Sequence, residues 1–276
     1  MRTPPPAFGK PAAAVAPCIT LTTDFGTRDG YVGAMKGRLR TLAPGIPVVD
    51  ISHDIPAQGI LEGAWCLRRA VPQFPPGTVH LAVVDPGVGG WRNALIVMTE
   101  HFLLVGPDNG LLAPAARDDG IRRVIVIRDP HPLWSKSASF DGLTLFAPVA
   151  AYLAQGGSPD EAGEEAGDLV SLPEPALSRT GNALVGQILL VDRFGNCITN
   201  IHKDDVGTRV MERVQIRDGL EARPCGHYAE LAGSASVGAL WNSDGYLELA
   251  MFGQPLTERH ALKAGHLVRL VLKGPA

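Results

Sequence analysis

Apolar residues in the first half of the chain fall into short runs separated by longer amphipathic stretches. Residues 19–22 (Ile, Thr, Leu, Thr) form a strand-like run, and Tyr31, Met35, Leu39 and Leu42 recur at helical spacing. Asp29 stands where a helix N-cap belongs, and Pro44-Gly45 closes the helix. A strand is predicted over 47–51, a helix over 60–71 with Leu61, Ala64, Trp65 and Leu67 apolar, and a strand over 79–85. This alternation predicts βαβ units. Strands over 94–99, 102–105 and 124–127 follow, then a helix over 144–155 with Pro148 in its first turns, where it is tolerated. Together they predict an α/β domain over 18–165 with a mostly parallel sheet.

The texture then changes. The stretch 163–179 is acidic, contains proline and has no period, so a linker is expected over 166–182. Beyond it, β runs at 184–191, 197–201, 213–217, 238–241, 245–251 and 267–272 are separated by Gly, Asn and Asp. No long helical period interrupts them. The expectation for 183–276 is a smaller all-β domain, a barrel or sandwich.

Composition narrows the class of partner. Of 276 residues, 45% are hydrophobic, which suits a sizeable core, and the formal net charge is −3 without a block of like charges. Neither a nucleic-acid binder nor a polybasic membrane surface fits that balance, so a small molecule is the expected partner. Cys18, Cys66, Cys197 and Cys225 are widely spaced and form no CxxC pair, as expected of free thiols in a reducing cytoplasm. Residues 1–17 are rich in Pro and Ala without an apolar core; a disordered tail is expected there rather than a signal peptide. No run reaches the ~18 apolar residues of a membrane span.

The candidate chemistry sits at strand ends. The buried-type strand Val79, Leu81, Val83, Val84 runs into Asp85, then Pro86-Gly87-Val88-Gly89-Gly90 and Arg92. The first strand runs likewise into Asp24. Ligands of open α/β sheets bind outside the carboxyl ends of strands, so both carboxylates are site candidates. Each could instead end a strand or cap a turn. The β domain carries a similar turn, Asp192-Arg193-Phe194-Gly195-Asn196.

The segments TTDFGTRDGYVGAMKG, VVDPGVGGWR, GPDNGLL, VDRFGNCITNI and NSDGYLELAMFG occur in this order. With them the chain resembles the S-adenosylmethionine hydroxide adenosyltransferases, or SAM hydrolases, relatives of the fluorinase and chlorinase. The resemblance runs from Ile19 to Leu272. It implies an α/β domain, a β-barrel, and a homotrimer whose site lies between one subunit's N-terminal domain and a neighbour's C-terminal domain. It further implies hydrolysis of S-adenosylmethionine to adenosine and methionine by attack at ribose C5′, without a cofactor. Asp24 matches the family carboxylate that accepts both ribose hydroxyls, a task one carboxylate can perform. Asp29 and Tyr31 match positions near the methionine end. Asp192 would face the amino group and Ser243 would hold the carboxylate. Asn196 would read the adenine edge, Tyr228 would stack on the base, and Met251 and Gly253 would contact adenine through the backbone. Read alone, Asn196 could also hold a left-handed turn and Tyr228 could be a half-buried core aromatic.

The family's water-handling set is Asp-Arg-His. Asp85 and Arg92 match its first two members, but the family's Phe-His-Gly-Arg-Asp is here Phe140-Asp141-Gly142-Leu143-Thr144. Asp141 therefore occupies the histidine position. Histidine titrates near pH 6.5 and aspartic acid near 3.9, so a changed pH profile is expected. The alternative is a nucleoside-binding protein with little turnover. A carboxylate beside the attack line repels halide, which points to oxygen as the nucleophile. The rival from residues alone is a metal-dependent phosphoesterase built on His53, Asp54, Asp85, Asp108 and His131, which lack a local ligand spacing. Neither Gly-rich turn has the GxGxxG spacing of a dinucleotide site.

Overall fold

The computed structural model describes residues 18–173 and 175–274; the tail expected over 1–17 lies outside them. The chain divides into two compact units, one ending at Leu172 and the other beginning at Pro173.

The first unit is a seven-stranded sheet with helices on both faces. Its strands are β1 (Ile19–Thr23), β2 (Val48–Ser52), β3 (Val79–Val83), β4 (Ala94–Thr99), β5 (Leu103–Pro107), β6 (Ile121–Ile127) and β7 (Gly163–Ala166), in the order β2-β1-β3-β5-β4-β6-β7. Its helices are α1 (Tyr31–Leu42), α2 (Ile60–Ala70), α3 (Ala113–Asp118) and α4 (Ala147–Ala154). From β1 the chain steps to β2 on one side and then returns to β3 on the other. Right-handed crossovers in opposite directions place α1 and α2 on opposite faces. One face buries Met35, Leu39, Phe146 and Val149 against Ile19, Leu21, Leu81 and Val83. The other buries Ala64, Leu67, Leu112 and Ala116 against Ala82, Val84 and Leu104.

The sheet is mixed, not mostly parallel. β2-β1, β1-β3 and β3-β5 are parallel, whereas β5-β4, β4-β6 and β6-β7 are antiparallel. The three residues between β4 and β5 permit a hairpin and no crossover. Helix α1 also starts differently from expectation: Gly30 is its N-cap and no side chain caps it. The stretch expected as a linker supplies β7 and β8 (Ser178–Thr180).

The second unit closes on itself. Strands β9 (Ala183–Val191), β10 (Cys197–His202), β11 (Val210–Gln215), β12 (Glu221–Pro224), β13 (Val237–Trp241), β14 (Tyr246–Ala250) and β15 (Leu267–Lys273) form a seven-strand barrel. Pairing of β9 with both β15 and β10 makes the closure, and β8 adds to β9 from outside. Leu184, Ile188, Val214, Ala239, Leu247, Leu249 and Leu270 fill the interior.

His80 on β3 is fully buried, with Nδ1 2.8 Å from the Thr20 hydroxyl and its ring edge-on to Phe74 and Phe102. Burial pushes its pKa down to about 4. The unfolded chain therefore takes up this proton below pH 6.5 while the folded chain resists until about 4. Stability is lost as pH falls through that window, by on the order of 3 kcal/mol in total. Denaturant titrations at pH 7 and pH 4.5 should show a larger pH-dependent loss for the wild type than for His80→Gln. Leu81→Ala, in the middle of the same strand, should cost about 2–5 kcal/mol in the same assay.

Candidate active site

The strand order reverses between β1 and β3, so a crevice is expected there at the carboxyl ends of these strands. Thr23 pairs with Val83 at that edge. Asp24 is the first residue beyond β1 and Asp85 the second beyond β3. Asp24 accepts the backbone N–H of Gln58 at 2.8 Å, and Gly26 N–H donates to His53 O at 2.8 Å. The end of β3 is pinned too: Asn109 donates from Nδ2 to Val84 O at 2.8 Å, and its Oδ1 accepts Leu111 N–H.

Asp85, Arg92 and Asp141 meet in one buried cluster. Arg92 donates from Nε to both Asp85 oxygens at 3.1 and 3.0 Å, and from one terminal nitrogen, Nη2, to Asp85 Oδ2 and to Asp141 Oδ2, the latter at 2.6 Å. The second Asp141 oxygen accepts Ser137 N–H at 2.6 Å. The side chains are only 10% (Arg92), 5% (Asp85) and 1% (Asp141) exposed. Burial acts to lower the Arg92 pKa, but the hydrogen bonds it donates to Asp85 and Asp141 outweigh it and keep the guanidinium charged. Its other terminal nitrogen, Nη1, is buried without a hydrogen-bond partner among the described residues. The cluster can thus offer a water carboxylate acceptors and a guanidinium donor.

Two loops carry this cluster, and Gly89 lets them close. Its φ is +77°, and a Cβ there would lie 2.7 Å from Ala138 O, so only glycine fits. Beside the cluster in sequence, Phe140 packs edge-on against Phe25 and Tyr31, with ring centroids 5.6 and 5.1 Å away. Tyr31 remains half exposed. Asp29 stands apart, exposed and 3.5 Å from Arg28.

In the barrel, Asp192 is occupied by its own turn. Its Oδ1 accepts Phe194 N–H at 2.9 Å and Asn196 N–H at 2.8 Å, and its Oδ2 accepts the Asn196 amide at 3.2 Å. Gly195 (φ +79°) brings this turn against Pro255, where a Cβ would lie 2.5 Å from the proline ring. Register places Cys197 opposite Leu249, so Asn196, Met251 and Gly253 gather at one end of β14. Ser243 lies in the turn at the other end, one strand length away. Tyr228 donates its hydroxyl to Glu248, a buried strand residue that sequence reasoning missed. Burial and that carboxylate push the phenol pKa upward.

Among the described residues no three His, Cys, Asp or Glu side chains converge to hold a metal. His53 bonds Thr23, Asp108 accepts Val170 N–H, and His131 stacks on Trp134. The set of the phosphoesterase reading is not assembled.

Two family models match, the SAM hydroxide adenosyltransferase N-terminal domain over residues 19–163 and the C-terminal domain over 186–269. The chain belongs to that family. It is 38% identical over 247 residues to the (R)-S-adenosyl-L-methionine hydrolase of Methanocaldococcus jannaschii, covering 85% of this chain and 88% of that one. It is also 38% identical over 264 residues to the Thermus thermophilus protein of the same name, covering 90% and 97%. An uncharacterized conserved protein from Thermotoga maritima superposes with a TM-score of 0.84 at 28% identity, over 92% of this chain and 99% of that one. In this SAM hydroxide adenosyltransferase family member, Asp141, the residue expected from the sequence at the histidine position, bonds Arg92.

Removing Arg92 leaves two buried carboxylates facing one another without a counter-charge. Arg92→Met should cost about 3–5 kcal/mol of stability by chemical denaturation. Asp141→Asn, which keeps an oxygen for either Ser137 N–H or Arg92 but not both and leaves the Asp85–Arg92 pair intact, should cost less.

Proposed function

We propose that the protein hydrolyses S-adenosyl-L-methionine to adenosine and L-methionine. The observation that carries this reading is the buried Asp85–Arg92–Asp141 cluster, one strand from Asp24 at the point where the sheet order reverses. Asp24 accepts the two ribose hydroxyls and so fixes the sugar at the carboxyl end of β1. Asp85 and Arg92 hold a water behind C5′. Oxygen forms a bond to C5′ as the C5′–S bond breaks; its electron pair goes to sulfur, and methionine leaves as a neutral thioether. The water proton passes to a carboxylate of the cluster, and such transfer is worth about 10²–10⁴-fold in rate. Two carboxylates against one guanidinium give the cluster a net charge of −1. That charge complements a sulfonium and disfavours a halide nucleophile.

The barrel supplies the other contacts of the reading. Asn196, Met251 and Gly253 read adenine, Tyr228 stacks on it, and Ser243 at the far end of β14 holds the methionine carboxylate. The separation of those groups suits an elongated ligand. Tyr31 and Asp29 border the methionine side; Asp192, bonded to Asn196, acts on the amino group from the adenine end of β14. Asp192 already accepts three hydrogen bonds, two on Oδ1 and one on Oδ2, so it contributes its charge and the one acceptor site left on Oδ2. The subunits assemble as a homotrimer in which the nucleoside is shared by one subunit's α/β domain and a neighbour's barrel. No helix among the described residues is long and apolar enough to cross a membrane. The four free cysteines suit a reducing cytoplasm.

Incubation with S-adenosylmethionine, followed by chromatography, should yield adenosine and methionine in equal amounts. Asp85→Ala should slow release by at least about 10²-fold, whereas Asp141→His should stay active with a shifted pH profile. Absence of adenosine from the wild type overturns the reading. Light scattering should give three times the chain mass.

A further inference from the structure

A second chain of polar groups lies beneath Asp24. His53, in the loop after β2, is only 6% exposed. Its Nδ1 lies 2.8 Å from Thr23 Oγ1, and its Nε2 lies 3.1 Å from Asp50 Oδ1. Asp50 Oδ2 in turn takes the Lys36 ammonium at 2.5 Å. Burial works to raise the Asp50 pKa, but Lys36 and His53 prevail and hold the carboxylate below its usual value.

Carboxylate, imidazole and hydroxyl in series is the order of a nucleophilic triad. Here the hydroxyl cannot attack. Thr23 is fully buried, and its oxygen accepts Phe25 N–H at 3.3 Å. The proton inventory has one consistent solution with a neutral imidazole. Nε2 faces the Asp50 carboxylate at 3.1 Å but out of hydrogen-bond alignment; because an ionised Asp50 repels a lone pair there, a neutral imidazole carries its proton on Nε2, and Nδ1 accepts from Thr23. The threonine oxygen then uses its lone pairs for Phe25 N–H. Both residues flanking Asp24 are thereby tied to His53, and the His53 carbonyl also holds Gly26 N–H at 2.8 Å.

We propose that His53 is a positioning residue for Asp24, setting the carboxylate that selects a ribose diol. The inference rests on the reading of Asp24 as the ribose-binding group. His53 touches no substrate; it acts through Thr23. The Nδ1 contact is the operative one, since Asp50 and Lys36 only fix the tautomer.

The test compares kcat/KM for S-adenosylmethionine and for its 2′-deoxy analogue in the wild type and four variants. His53→Ala and Thr23→Val should lower kcat/KM for the ribo substrate by on the order of 10²-fold. They should do so mainly through KM, while the 2′-deoxy analogue loses far less. Discrimination between the two substrates therefore shrinks. His53→Asn, which can keep an acceptor at the Nδ1 position, should retain discrimination; His53→Gln, which reaches only toward Asp50, should not. Equal losses on both substrates indicate a merely structural role and overturn the proposal, as does unchanged discrimination or rescue by Gln alone. Should His53→Ala fail to fold, Thr23→Val and the Asn and Gln variants decide. If the wild type releases no adenosine, the hydrolase reading fails by itself. Calorimetric affinities for adenosine and 2′-deoxyadenosine then put the same question to His53.

Discussion

Arg92, caught between two carboxylates, is the interaction on which the rest of the α/β unit's functional edge depends. A guanidinium this far from water needs its counter-charges close, and Asp85 and Asp141 come from segments 56 residues apart in the chain. Their meeting joins the loop after β3 to the loop before α4. The second loop leads directly into a π-helical turn, Gly142–Phe146, whose Phe146 is among the largest fully buried side chains. Arg92 also lies over that ring, 5.3 Å from its centroid. The charged cluster and the hydrophobic core are therefore neighbours, and the site inherits rigidity from both.

The next level of support is backbone register. Parallel pairing of β1 with β3 brings Asp24 and Asp85 to the same sheet edge, and two side chains keep their loops in place. Asn109 clamps Val84 from one side, while His53 clamps Thr23 and Gly26 from the other. Each acts on a residue adjacent or nearly adjacent to a carboxylate rather than on the carboxylate itself. Small displacements of such groups matter, because in-line attack depends on geometry.

Much of this was legible in the chain. Strand-like runs and the 3.6-residue repeat place β1, β2, β3, α1 and α2, since burial on one or both faces leaves a direct mark on residue choice. The antiparallel half of the sheet departs from the mostly parallel expectation. Only three residues separate Thr99 from Leu103, and a hairpin was already implied by that spacing. Helix α3, with sequence APAARD, is too short to show a period. Strand β12, EARP, is too polar to resemble one. Asp29 has the right chemistry for a cap, yet the helix begins after it without a side-chain cap. Asp85 could be found at its strand end, and Arg92 and Asp141 through the resemblance, because side chains perform their task. The roles of Gln58 N–H and Asn109 could not, because they depend on where distant backbone passes. Glu248 hid inside an otherwise apolar strand, YLELA.

The two units treat their sheet margins differently. Closure leaves the barrel only the short β8 addition as an outer margin, whereas the open sheet ends in β2 on one side and β7 on the other. Unpaired strand margins are templates for association with another molecule's strand. Here β2 carries Asp50, and β7 carries Glu164 and Glu165, with the Glu164 side chain 84% exposed. A second molecule approaching along β7 meets the exposed Glu164 carboxylate, whereas along β2 it meets Asp50 already paired with Lys36. Charged side chains that look incidental in the sequence thus line both open margins, where an apolar strand would invite pairing with another molecule.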